Sequence, residues 1–254
     1  DERYEVVLID LRARNAQPRV LIPGFTNDYQ LVGQTAQGHF IFQTDRNAPK
    51  SRIVAIDPAR AQEVNWRVLV PEGADVLTGA DRVGDQIIAE YLTDARSTVR
   101  RYSLTGQPVG EAVTLPGLGS ATGFSGSPRS PVTYYSFSSF NRPPTVYRFD
   151  TRSGESAVFR APELQFNPDD YVVEQVFYNS KDGTRVPMFI VHRRDVTPNG
   201  ARPTLLYAYG GFNAAQLPSF QVQRLQWLEM GGVFVLANIR GGSEYVKEWH
   251  DAGR

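Results

Sequence analysis

Four stretches of the first 162 residues share one order of apolar and polar positions: an apolar strand, a polar turn, a second strand and then a proline. The first runs from Val6–Asp10 to Leu21-Ile22-Pro23, and the second from Ile53–Asp57 to Leu69-Val70-Pro71. The third runs from Val99–Ser103 to Thr114-Leu115-Pro116, and the fourth from Val146–Asp150 to Arg160-Ala161-Pro162. The turn-starting residues Asp10, Asp57, Ser103 and Asp150 are 47, 46 and 47 residues apart. Asp and Ser suit such turns because their side chains bond nearby backbone N–H groups. A fixed period of this length, built from short strands, is the signature of β-propeller blades.

Further strand candidates bring three of the repeats to four strands each. They are Gln30–Val32 and Phe40–Gln43, Val76-Leu77 and Gln86–Ala89, and Ala121–Phe124 and Val132–Tyr135. The first repeat has only its last two strands. The pattern therefore predicts about three and a half blades of an all-β propeller, with further blades expected before Asp1. A β-sandwich is the competing architecture, but sandwiches rarely hold a period over three intervals.

The period ends after Pro162. Phe166–Asp170 reads as a linker, which divides the chain into a partial propeller over residues 1–165 and a different unit over 166–254. Val172–Tyr178 and Val186–Val191 flank Ser180-Lys181-Asp182-Gly183, a hairpin signal. After the loop Thr197–Gly200, Leu205–Ala208 and Val233–Ala237 read as buried strands. Between them, Pro218–Met230 has helical spacing, with Pro218 in the first turn and Gly231-Gly232 as the stop. Two such strands joined by a helix form a parallel crossover, the opening of an α/β unit.

Composition narrows the functional classes. Formal charge is zero, with 27 basic and 27 acidic residues, so no basic footprint points to nucleic acid. No cysteine is present, which excludes disulfides, cysteine nucleophiles and thiolate metal sites. No metal-ligand spacing and no cofactor motif occur, and no apolar run of 18 residues would span a membrane. The N-terminus does not read as a signal peptide, and composition leaves the compartment open between cytoplasm and periplasm.

The chemistry concentrates at Tyr209-Gly210-Gly211, after the first α/β strand. Glycine-rich loops in this place supply oxyanion-hole donors in α/β-hydrolases, and glycine lets backbone approach substrate closely. The plain structural alternative is a tyrosine closing a strand before a Gly-Gly turn. Arg240 and Glu244 follow the second strand and read as a loop ion pair or cap, with substrate contact as the alternative. His39, His192 and His250 read as structural or exposed. The Gly-x-Ser-x-Gly nucleophile elbow is absent: Gly123–Ser127 and Gly241–Tyr245 both fail at the fifth position.

Tyr207-Ala208-Tyr209-Gly210-Gly211-Phe212-Asn213 and Ala237-Asn238-Ile239-Arg240-Gly241-Gly242-Ser243-Glu244-Tyr245 resemble the prolyl oligopeptidase family. Phe177–His192 and Asn65–Glu72 are similar to it as well, so the resemblance covers nearly the whole chain. It implies a serine prolyl endopeptidase in which a seven-bladed propeller restricts access to an α/β-hydrolase domain. By the same resemblance, Tyr209 is the oxyanion-hole tyrosine and Phe212 lines the proline-side subsite. The substrates implied are short proline-containing peptides, acted on by a monomer with no cofactor or metal. Ser243 and Val246 stand where the family often has glycine. The catalytic serine, acid and histidine are expected beyond Arg254, so residues 1–254 alone are expected to be inactive. The competing class is a non-catalytic, propeller-bearing peptide-binding protein with a degenerate hydrolase half.

Overall fold

The computed structural model describes residues 3–197 and 199–253. Asp1, Glu2, Pro198 and Arg254, which enter the readings of the N-terminus, the Thr197–Gly200 loop and the C-terminal end, lie outside the described residues. β1 (Val6–Leu8) and β2 (Arg19–Ile22) pair as the first sheet. β3 (Tyr29–Gln34), β4 (Phe40–Thr44), β5 (Arg52–Ile56) and β6 (Arg67–Val70) form a four-stranded antiparallel meander. β7 (Val76–Val83), β8 (Gln86–Thr93) and β9 (Arg96–Ser103) form the next sheet, and β10 (Ser120–Thr122), β11 (Val132–Ser138), β12 (Thr145–Asp150) and β13 (Glu155–Arg160) the fourth.

These sheets stack because their strands are apolar on both faces. Along a strand, successive side chains point to opposite sides. In β4 and β5, Ile41, Ile53 and Ala55 pack with Leu77, Ile87, Ala89 and Tyr91 of the following sheet. Their neighbours Phe42, Val54 and Ile56 pack backward with Leu21 and Ile22. In β8, Ile87 and Ala89 face backward while Ile88 faces Tyr135, Phe137 and Phe149 of the fourth sheet and Phe124 of its β10–β11 connection. A sheet buried on both sides needs continuous apolar runs, not a strict apolar–polar alternation. Each fully buried Ile, Val or Phe contributes roughly 1.5–3 kcal/mol.

The third repeat departs from expectation. Thr114-Leu115 is not a strand. Pro108 makes one isolated bridge with Tyr102, and Val113 N–H bonds the Val99 carbonyl at 2.8 Å. Pro108 has no N–H to donate, and Gly110 takes a left-handed turn at φ 62°. The ladder beside β9 is therefore interrupted, while Leu115 still packs on the neighbouring core.

The last sheet has the order β14 (Tyr171–Asn179), β15 (Arg185–Arg193), β17 (Val233–Ala237), β16 (Thr204–Ala208). β14 and β15 form the expected hairpin, closed by Ser180 N–H to the Thr184 carbonyl at 2.8 Å. β16 and β17 are parallel, with Ala208 opposite Ala237, as the crossover pattern requires. β16 is nevertheless an edge strand exposed along its whole length, with Leu206 at 64%. Only β17 is buried throughout.

The connecting helix α1 (Val222–Glu229) is shorter than its sequence signal. Pro218–Gln221 stays outside the helix, tied to the propeller: Ser120 Oγ donates to the Pro218 carbonyl at 2.8 Å, and Phe220 N–H donates to Ser138 Oγ at 3.3 Å. Phe220 also stacks on Phe166, with centroids 5.8 Å apart. A further core joins the two architectures, where Ala95 and Phe140 from the propeller side meet Phe189, Val191, Leu228 and Phe234. The chain closes with helix α2 (Val246–Asp251). No described helix is long and apolar enough to cross a membrane.

Candidate active site

Parallel strands β16 and β17 end side by side, so the loops that follow them leave the same edge of the sheet. This carboxyl edge is where open α/β sheets build sites. The two loops are in backbone contact. A β-carbon on Gly210 would lie 2.1 Å from the Arg240 carbonyl oxygen, and one on Gly241 would lie 2.2 Å from the Gly210 carbonyl oxygen. Gly241 also holds φ at 109°, a conformation open to glycine. Asn213 N–H bonds the Gly241 carbonyl at 3.2 Å. The glycines are therefore required by loop-to-loop approach as well as by chain reversal.

Tyr209 leaves the end of β16 and is 36% exposed. Its hydroxyl oxygen lies 3.5 Å from the position of a β-carbon on Gly211. Among the described residues nothing hydrogen-bonds that hydroxyl, so its proton is open to an incoming acceptor. Phe212 and Asn213 are both left-handed, at φ 54° and 55°. Asparagine tolerates this region, whereas for phenylalanine it costs about 1–2 kcal/mol. The turn aims Phe212 into solvent, at 91% exposure. Tyr209 and Phe212 thus share one loop, with Phe212 turned outward and Tyr209 partly covered.

A buried polar frame supports the loops. Glu244 is 0% exposed. Its Oε1 accepts Gln216 N–H at 2.9 Å and Asn238 Nδ2 at 3.3 Å. Asn238 Nδ2 also donates to the Gln216 carbonyl at 2.6 Å. Arg240 does not pair with Glu244. It reaches Asp182 in the β14–β15 turn and bonds Ser180 Oγ at 3.3 Å. The Thr184 N–H, followed by Arg240, holds the Asp182 carboxyl down at about 2. Both charged residues of the second loop are thus engaged in loop architecture.

The histidines also have structural surroundings. His192 is buried in β15, with Nδ1 2.7 Å from the Arg193 carbonyl. His250 Nδ1 lies 2.8 Å from the Gly241 carbonyl. His39 precedes β4, where its carbonyl accepts Thr35 N–H at 2.9 Å. No serine bonds a histidine among the described residues. The frame of Asn238, Glu244 and α2 was not evident from the sequence, because Asn and Glu at these spacings form no local motif.

Sheets stacked as propeller blades, followed by a parallel α/β crossover with a Tyr-Gly-Gly loop at its carboxyl edge, define a propeller-bearing protein of α/β-hydrolase type. The model of the prolyl oligopeptidase N-terminal β-propeller domain matches residues 1–162, and that of the prolyl oligopeptidase family matches residues 218–254. The chain belongs to the prolyl oligopeptidase family. It is 40% identical over 233 residues to a prolyl endopeptidase of Elizabethkingia miricola, covering 92% of this chain and 33% of that protein. A solved prolyl endopeptidase structure superposes with a TM-score of 0.84 at 41% identity, covering 100% of this chain and 37% of the other. The apo structure of prolyl oligopeptidase B from Galerina marginata gives 0.89 at 25% identity, again covering 100% and 37%. The chain therefore spans about a third of the length of the relatives it matches.

Proposed function

We propose that these residues belong to a serine-type prolyl endopeptidase that cleaves short peptides after proline. The observation that carries this reading is Tyr209, whose unengaged hydroxyl stands at the carboxyl edge of the parallel strands on a loop braced by backbone contact. In acyl transfer a serine attacks the scissile carbonyl, and the new oxyanion needs preorganised donors. Tyr209 supplies one such donor. Phe212 offers an apolar face to the proline ring, and its left-handed backbone fits a residue held for function instead of packing.

Residues 1–165 form the propeller part, which restricts access, and residues 166–254 form the first part of the catalytic domain. The enzyme works as a monomer on proline-containing peptides and does not bind nucleic acid, in keeping with its balanced charge. Residues 1–254 alone carry no nucleophile elbow and do not hydrolyse peptides.

The test is Tyr209→Phe in the complete enzyme. Turnover of a blocked glycyl-prolyl anilide falls about 10²–10³-fold, while the thermal midpoint stays unchanged. Unchanged turnover removes the oxyanion role. Failure of the complete protein to react with a serine-directed covalent probe removes the peptidase reading in favour of a peptide-binding protein.

A further inference from the structure

The β8–β9 turn of the propeller reaches into the hydrolase side of the molecule. Thr93 and Arg96 are paired, so Asp94 and Ala95 make a two-residue hairpin loop. Both are left-handed, at φ 49° and 63°. Such loops favour Asn-Gly or Asp-Gly, and alanine there is disfavoured by its β-carbon. That β-carbon is fully buried with Phe140, Phe189 and Phe234. The tip is thus held in a costly backbone conformation by packing against the other sheet.

This placement presents Asp94 to two residues of the second architecture. Its carbonyl accepts Gln175 Nε2 of β14. Its carboxylate accepts the Tyr245 hydroxyl at 2.6 Å, across 151 positions of sequence. Burial, then the bond to Asp94, pushes the Tyr245 phenol above its ordinary value, so it stays a donor. Tyr245 lies against Trp249 of α2, with centroids 4.8 Å apart. The Trp249 carbonyl accepts Gly241 N–H at 3.0 Å, and the Gly241 carbonyl accepts Asn213 N–H at 3.2 Å. Gly241 in turn abuts Gly210, the residue after Tyr209.

We propose that Asp94 is a positioning residue: through Tyr245, α2 and Gly241, the propeller sets the placement of the Tyr209 loop. This rests on the oxyanion role proposed for Tyr209. The propeller then does more than restrict access, because one of its turns braces the loop that carries the oxyanion donor. Misplacing a reacting geometry by about 1 Å can cost two orders of magnitude, so partial loosening of the brace has a measurable effect on kcat.

The experiment is a cycle in the complete enzyme, using a blocked glycyl-prolyl anilide. Asp94→Ala and Tyr245→Phe each lower kcat about tenfold, with KM changed less than about threefold. Asp94→Asn keeps an acceptor oxygen and recovers most of kcat. In a Tyr209→Phe background, Asp94→Ala lowers kcat less than about twofold, because the donor it positions is already gone. The same loss in both backgrounds would overturn the proposal, as would wild-type kcat in Asp94→Ala. Tyr209→Phe alone separates the two readings. If that variant retains full turnover, the oxyanion role fails; if it is impaired while Asp94→Ala is not, only the positioning role fails.

Discussion

Gly210 and Arg240 stand in backbone contact, 30 positions apart in sequence, with the Arg240 carbonyl oxygen 2.1 Å from where a β-carbon on residue 210 would be. No side-chain rotation can relieve such an encounter, because both partners are main chain. Gly210→Ala therefore separates the two loops and displaces Tyr209. The expected result in the complete enzyme is a drop in kcat of about tenfold or more, with about 1–3 kcal/mol lost from stability. Paired activity and urea-unfolding measurements check both figures.

Phe212 is 91% exposed, so truncating it leaves stability within about 0.5 kcal/mol. Its proposed work is done only when a proline ring lies against it. Phe212→Ala is expected to raise KM for proline substrates and to reduce their advantage over alanine analogues. An unaltered proline preference in kcat/KM would remove it from the subsite.

Glu90 lies in β8, diagonal to Asp81 of β7 and on the same face as it. Burial raises its carboxyl from 4.5 to about 7, opposed by the Phe124 N–H and reinforced by the Asp81 charge. The folded state thus holds this proton more tightly than the unfolded chain does. The penalty for ionising Glu90 is absent below about pH 4.5, grows as pH rises toward 7 and is constant above. Glu90→Gln, which can still accept the Phe124 N–H, is expected to gain on the order of 1–3 kcal/mol relative to wild type between pH 5 and 8. Urea midpoints at the two pH values measure it; an unchanged difference would mean that Glu90 ionises freely in the fold.

Phe140 is fully buried, with its ring 5.4 Å from Phe189 and 5.9 Å from Phe234. It joins the propeller to the last sheet. Phe140→Ala is expected to cost about 3–5 kcal/mol and to increase amide exchange first in β15 and β17. Loss confined to β10–β13 would show that the two architectures are not coupled through this core.

Much of the fold was legible because its signals are local. The repeat from Asp10 to Asp150, the Asp182-Gly183 turn and the pairing of Leu205–Ala208 with Val233–Ala237 all follow from periodicity and turn chemistry. Tyr209 was legible as a candidate because a Tyr-Gly-Gly loop after a strand is itself a short pattern. The errors fall where distant contacts override local preference. Pro218–Gln221 has helical spacing, yet it lies outside the helix, bonded to Ser120 and Ser138 of the propeller. Leu205–Ala208 has the apolar character of a buried strand, yet no described element covers it.

By itself the sequence determined most of the succession of strands, the change from propeller to crossover, and the position of the Tyr-Gly-Gly loop after the first crossover strand. These depend on local apolar and turn patterns, and on their recurrence at a fixed interval along the chain. Only the tertiary structure decided that Arg240 reaches Asp182, that Glu244 is buried beneath the loops, and that Asp94 meets Tyr245. A hydrogen bond across 151 positions leaves no periodic trace, because its geometry exists only after the sheets have stacked and brought the two backbones together.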